Sequence, residues 1–213
     1  MSHPGAGPAR PAGRGADPGR YDAVVLTGGR ATRMGGAAKP ALLVGGAPIA
    51  ARVLAAVADA DRSVLVGEPV PGIRVDLVTR EEPAGGGPVA GLCAGLAAVR
   101  APVVAVLGGD LPFVTAAAVR DLRAALAGQP QAAAALLVDD AGRDQYLCAV
   151  WRAGALRSAL QAVGGPAGVP LRAVVAAAGG PVLRRTAAGA GPPAWFDCDT
   201  EQDLATAREW AGG

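Results

Sequence analysis

Residues 21–39 read YDAVVLTGGRATRMGGAAK, an apolar run that ends in paired glycines and opens a basic, glycine-rich loop closed by Lys39. The run Tyr21–Thr27 is short, rich in valine and stopped by turn formers, which is the pattern of a buried strand. A second run of this kind, PVVAVL at Pro102–Leu107, stops at Gly108-Gly109-Asp110. Further strands are expected over Ser63–Val66, Arg74–Val78, Ala132–Val138, Tyr146–Trp151 and Val182–Thr186. Helical spacing covers Pro48–Ala58, with proline at the first helical position. It recurs over Pro88–Val99, Thr115–Leu126 with Thr115 as N-cap, Leu156–Ala162 and Leu171–Ala178. Near the C-terminus, Thr200 with Asp203 three residues on forms a carboxylate relative of the capping box, ahead of a last helix.

Strands that alternate with helices predict an α/β fold: a single three-layer domain with a mainly parallel, doubly wound, Rossmann-like sheet. In such sheets ligands gather at the carboxyl ends of the strands. The glycine-rich loop after Leu26 and the aspartate after Leu107 both stand at such ends. The first twenty residues, MSHPGAGPARPAGRGADPGR, are proline, glycine and arginine with almost no large apolar side chain. They are expected to form a disordered leader without the apolar stretch of a secretory signal, and residues 21–213 the folded domain.

With 213 residues the chain is long enough to bury a substantial core. Hydrophobic residues make up 51%, yet none of their runs reaches the length that spans a bilayer. Aromatic residues are only 3%, so the core must be built from Ala, Val and Leu, which suits helices packed closely on a sheet. The formal net charge is +2 and no basic face with interleaved aromatics appears, which argues against nucleic acid as a partner. Cys93, Cys148 and Cys198 are far apart and His3 is the only histidine, too few ligands for a zinc site. These features point to a cytoplasmic protein.

Lys39 is the only lysine, and the chain has no asparagine, a bias expected of a GC-rich coding sequence. A lysine that persists against such a bias, at the end of a glycine-rich loop, suits a task arginine performs poorly. It is a compact point charge for a crowded phosphate pocket, where guanidinium is a wide planar fork. Two familiar phosphate motifs are absent. Lys39 follows alanine and precedes Pro40, which breaks the P-loop pattern, and the adjacent glycines do not match the dinucleotide fingerprint. Gly28 and Gly29 permit close backbone approach to a ligand, while Arg33 and Lys39 add positive charge.

The segment Leu26–Lys39, with its GG-x3-RMGG-x2-K spacing, resembles the loop of the molybdenum cofactor guanylyltransferases, within the wider nucleotidyltransferase family. The resemblance continues at GPVAGL (Gly87–Leu92), GGDLPF (Gly108–Phe113) and DCDTEQDL (Asp197–Leu204), so it covers nearly all of the chain after Arg20. It implies transfer of GMP from GTP to molybdopterin, with or without molybdenum, and release of pyrophosphate. On this resemblance Leu26, Thr27, Gly28 and Gly29 bind the nucleotide, and Arg33 and Lys39 neutralise its phosphates. Asp110 is the principal Mg²⁺ ligand, Asp199 a second one, and Glu81, beside Glu82, a contact to guanine or ribose. Beyond GTP and molybdopterin, transient contact with cofactor-assembly proteins is implied, with no nucleic acid and no membrane. Two departures stand out. Gly67 occupies a position where related enzymes carry asparagine, and DQYLCAVW replaces a proline-containing segment. The alternatives are another nucleotidyltransferase, using CTP or a phospholactate or sugar-phosphate acceptor, and a catalytically silent nucleotide-binding module.

Overall fold

All six residues of Tyr21–Leu26 are buried, because helices cover both faces of the sheet whose middle they occupy. The computed structural model describes residues 19–28, 33–34, 37–82, 84–166, 168–187 and 191–212. Of the leader expected over residues 1–20, residues 1–18 lie outside the described set. In chain order the first strands are β1 (Tyr21–Leu26) and the two-residue β2 (Arg33–Met34), β3 (Ala37–Ala38), β4 (Leu43–Val44) and β5 (Ala47–Pro48). There follow β6 (Arg62–Val66), β7 (Leu77–Thr79), β8 (Val103–Gly108), β9 (Ala134–Val138), β10 (Asp144–Arg152) and β11 (Val182–Thr186). The helices are α1 (Ile49–Ala55), α2 (Pro88–Leu96), α3 (Ala116–Ala127), α4 (Ala153–Ala162), α5 (Leu171–Ala176) and α6 (Glu201–Gly212).

The seven longer strands form one sheet in the order β11-β9-β10-β8-β1-β6-β7. Its pairings are parallel except those of β10, which runs antiparallel to both β8 and β9. The reason is the connection: only residues 139–143 separate β9 from β10, too few for a crossover, so the chain must turn back as a hairpin. Side chains alternate between two cores. Ala23 and Val25 of β1 join Leu107 of β8 with α1, α3 and α6, whereas Val24 and Leu26 join Val104 and Val106 with α2, α4 and α5. The sheet is therefore the middle of three layers, as the alternation of strands and helices led one to expect.

The element boundaries follow local chemistry. Thr115 caps α3 by accepting the Ala118 N–H at 3.1 Å, and Thr200 and Asp203 exchange the two bonds of the capping box. The strand expected over Arg74–Val78 instead begins at Leu77. Asp76 is turned back on Ser63, whose N–H and hydroxyl donate to its carboxylate at 2.7 and 2.9 Å, which delays the ladder. Pro48 caps α1 rather than opening it, since it pairs with Leu43 in the β4–β5 ribbon. Among the described residues no helix is long and apolar enough to cross a membrane.

Helix α2 lies very close to the sheet. A Cβ on Gly95 would stand 2.5 Å from Val24 Cγ1 and 2.9 Å from Val66 Cγ2. Gly95→Ala is therefore expected to destabilise the fold. Overpacking costs about 1–3 kcal/mol, against at most ~1 kcal/mol gained in helix propensity. Urea denaturation reads the result, and a more stable variant would show that the close approach is not required.

Candidate active site

The carboxyl ends of β1, β6 and β8 are tied into one platform. The Thr27 N–H and hydroxyl both donate to the Val66 carbonyl, at 2.9 and 3.1 Å, and the Gly109 N–H donates to the Leu26 carbonyl at 2.8 Å. The chain thus leaves β1 pressed against the end of β6. Gly67 sits at that crossing with φ 138°, and a Cβ there would stand 2.5 Å from Thr27 Oγ1 and 2.9 Å from the Gly28 nitrogen. The glycine found where asparagine was expected is therefore a steric requirement of this crossing. Glu81 reaches the same place: one carboxylate oxygen accepts the Gly85 N–H at 3.3 Å, and the other lies 3.7 Å from where a Cβ on Gly28 would be.

Lys39 opens a 3₁₀ turn, Lys39–Ala41, closed by the Leu42 N–H donating to the Lys39 carbonyl at 3.0 Å. Its side chain is buried, and its ammonium donates to Asp199 Oδ1 at 2.9 Å. Asp110 follows the end of β8 and receives the Cys198 N–H on its carbonyl at 3.0 Å, which binds the strand end to the segment before α6. Behind this junction Arg52 of α1 donates to the Pro112 carbonyl at 2.7 Å and lies over the Phe113 ring, 5.7 Å from its centre. Phe113, Phe196 and Trp210 form an aromatic cluster with ring centres 4.9–6.1 Å apart. Three of the few aromatic side chains thus brace the two loops that carry Asp110 and Asp197.

Burial pushes the Asp110 carboxyl up to about 6, with Asp197 and, more weakly, Asp199 adding repulsion that Lys39 only partly offsets. Asp197 is likewise raised, by burial and then by Asp199. Burial and the neighbouring Asp110 carboxylate push the Cys198 thiol up to about 12, so it supplies no thiolate nucleophile at neutral pH. Carboxylates that repel one another beside a single ammonium suit a hard divalent cation together with phosphate oxygens. Among the described residues no three His, Cys, Asp or Glu side chains converge as a complete cage. One or two carboxylates with phosphate and water are what a Mg²⁺ ion would need, and Asp110 and Asp197 are the carboxylates that line the cavity here.

The hairpin into β10 brings Asp144, Gln145 and Tyr146 to this edge. With Asp110 and Asp197 they line a cavity of about 220 Å³, which adjoins a wider cleft of about 760 Å³ walled by Arg143, Tyr146, Arg184 and Trp195. Arg184 is held by Asp144 through paired bonds of 2.7 and 2.8 Å. Of the residues singled out in the sequence, Leu26, Thr27, Gly28, Lys39, Glu81, Asp110 and Asp199 gather around these strand ends. Gly29 lies outside the described residues, and Arg33 is described through its backbone alone, paired with Ala38 in the β2–β3 ribbon. Asp197 was missed, although it is the stronger charge neighbour of Asp110. Its spacing from Asp199 could have revealed it, since residues i and i+2 of an extended chain face the same way.

Comparison with known proteins bears on the fold and the family of the chain. A molybdenum cofactor guanylyltransferase of Burkholderia orbicola is 38% identical over 130 residues, which cover 55% of this chain and 62% of the relative. The match thus spans somewhat less than two thirds of that relative's length. Among solved structures, the 2-C-methyl-D-erythritol 4-phosphate cytidylyltransferase of Thermus thermophilus superposes with a TM-score of 0.63 at 22% identity, covering 90% of this chain and 98% of its own. The molybdopterin-guanine dinucleotide biosynthesis protein A of Archaeoglobus fulgidus gives 0.64 at 18% identity, covering 88% and 97%. At such identities these two speak for the fold alone. The description of the MobA-like NTP transferase domain matches residues 23–192, from the first strand past the last one, and the chain therefore belongs to that family.

Proposed function

We propose that this protein transfers GMP from GTP to the terminal phosphate of molybdopterin, in its free or molybdenum-loaded form, and releases pyrophosphate. The observation that carries this reading is the buried Lys39, paired with Asp199, beside Asp110 at the ends of β1 and β8, where Asp110 and Asp197 line an open cleft. The backbone of Leu26, Thr27, Gly28 and Gly29 receives the guanine nucleotide, and Glu81 contacts its base or ribose. Arg33 and Lys39 neutralise the triphosphate and the leaving pyrophosphate. The acceptor lies in the cleft beside β10, where Tyr146 and Trp195 offer flat apolar faces and Arg143 and Arg184 offer positive charge for phosphate.

The acceptor's phosphate oxygen attacks the α-phosphorus in line as the bond to the β-phosphate breaks. Positioning and charge stabilisation do the chemistry, with no covalent intermediate on the protein. Asp110 holds Mg²⁺, with a second carboxylate from the segment Asp197–Asp199. When bound, the ion supplies charge neutralisation at the α-phosphate. The acceptor and the nucleotide are small metabolites of the cytoplasm, and transient contact with cofactor-assembly proteins accompanies their use.

Pyrophosphate release tests this reading, with GTP or CTP as donor and molybdopterin as acceptor, across a Mg²⁺ titration. Release is expected only with both substrates and the metal, and at least about tenfold faster with GTP, the discrimination that about 1.4 kcal/mol supplies. Equal rates with CTP would overturn the guanylyl assignment, and no release with any donor would overturn the transferase reading.

A further inference from the structure

Three carboxylates, Asp110, Asp197 and Asp199, share the site with the buried ammonium of Lys39, and they are not equivalent. Lys39 is 6% exposed, whereas the Asp199 side chain is 64% exposed. The bond from Lys39 Nζ to Asp199 Oδ1, at 2.9 Å, is the one ion pair of Lys39 among the described residues. Withdrawing an ammonium from water without a partner is strongly unfavourable, so the position of Lys39 depends on that carboxylate.

Asp199 is in turn held firmly. On one side the Cys198 N–H is fixed to the Asp110 carbonyl at 3.0 Å. On the other, Asp203 Oδ2 accepts the Asp199 N–H at 3.2 Å, the Thr200 N–H at 2.7 Å and the Thr200 hydroxyl at 2.8 Å. The capping box of α6 therefore does more than end a helix. It presents a carboxylate, from 160 residues away in the chain, to the lysine of the first loop. Asp197 makes no comparable pairing among the described residues, and it, unlike Asp199, lines the 220 Å³ cavity together with Asp110.

We propose that Asp199 is a positioning residue that holds the Lys39 ammonium in place for the nucleotide phosphates, and that the second carboxylate facing the metal is Asp197. This rests on the reading that Lys39 faces a triphosphate. It reassigns Asp199 from the role of second metal ligand that its place in the motif implies.

Because Lys39 is the only lysine, its ε-amine can be followed alone. Ligand-free protein is treated with a trace of an acetylating N-hydroxysuccinimide ester at fixed pH, and the Lys39 peptide is quantified by mass spectrometry. Acetylation is expected to be about tenfold faster in Asp199→Asn than in wild type, the scale of one lost charge-assisted hydrogen bond. Asp199→Glu, which keeps a carboxylate, is expected to recover most of the protection. The exposed position of Asp199 leaves the fold intact, which the melting temperature checks. In parallel, Mn²⁺ affinity in the presence of GTP is expected to fall clearly less in Asp199→Asn than in Asp197→Asn, since removing a carboxylate ligand costs a hard cation more than removing a neighbouring charge. Equal acetylation rates in wild type and Asp199→Asn would overturn the proposal, as would a loss of Mn²⁺ affinity in Asp199→Asn equal to or greater than that in Asp197→Asn. Failure of the guanylyl reading appears separately, as GTP that gives wild-type Lys39 no protection from acetylation.

Discussion

Asp110→Asn is expected to stabilise the metal-free protein at pH 7 while removing its turnover. Burial, then repulsion from Asp197 and Asp199, raises the Asp110 carboxyl to about 6 from an ordinary value of 3.8. The native state therefore binds this proton more tightly than the unfolded chain does. The associated stability is fully present below about pH 4 and is lost as the pH rises through 6. At pH 7 the ionised side chain is a net cost, bounded by two pKa intervals at 1.36 kcal/mol each, so roughly 1–3 kcal/mol. Asparagine keeps the shape and the hydrogen-bonding oxygen but carries no charge. Urea melts in EDTA between pH 4 and 7.5 should show the variant gaining on wild type as the pH rises. Turnover in Mg²⁺ should fall roughly 10³-fold, because the metal loses the charge that holds it. A variant that is less stable at pH 7 with an unchanged pH profile would remove the electrostatic basis assigned to Asp110. Wild-type turnover and Mg²⁺ dependence would remove its catalytic assignment.

Lys39→Arg should cost nearly as much activity as Lys39→Ala, although it keeps the charge. Lys39 is only 6% exposed and fits between its own 3₁₀ turn and Asp199. A guanidinium is broader and planar, and it cannot occupy that space without moving the loop or the segment before α6. Losing one preorganised contact to developing charge lowers turnover roughly 10²–10³-fold. Pyrophosphate release for the two variants, with GTP binding followed alongside, separates positioning from charge. Near-wild-type turnover in the arginine variant would mean that any cation suffices and that the singularity of Lys39 in this chain carries no chemistry.

The strands that build the site were legible because both of their faces are buried. In β1 and β8 nearly every position is apolar, the exception being Asp22, whose carboxylate accepts the Arg100 and Ala101 N–H groups, so the runs AVVL and VVAVL announce themselves whatever surrounds them. Glycines follow at the strand ends for reasons that can be measured. A Cβ on Gly109 would stand 2.5 Å from Thr27 Cγ2, as one on Gly67 would from Thr27 Oγ1. The antiparallel course of β10 was implicit in the five residues of its connection to β9. Edge strands were read less well: β7 starts where Asp76 releases the backbone, and that depends on Ser63, thirteen residues earlier.

Lys39 could be singled out from its residue type and its place in the loop, and Asp110 from its strand end together with the family resemblance, since local order along the chain carries both. The pairing of Lys39 with Asp199 could not be read that way. Asp199 lies 160 residues from Lys39, and nothing local distinguishes it from Asp197. Which of the two meets the ammonium depends on the path of the backbone between the Asp110 carbonyl and the Asp203 cap. The aromatic cluster of Phe113, Phe196 and Trp210, which braces that path, is likewise assembled from three distant segments. Short-range pattern thus set the layers, the strand ends and the chemical types placed there. Charge pairing and the raised carboxyl of Asp110 arose only on packing, because burial and Coulomb interaction depend on distances through space rather than along the chain.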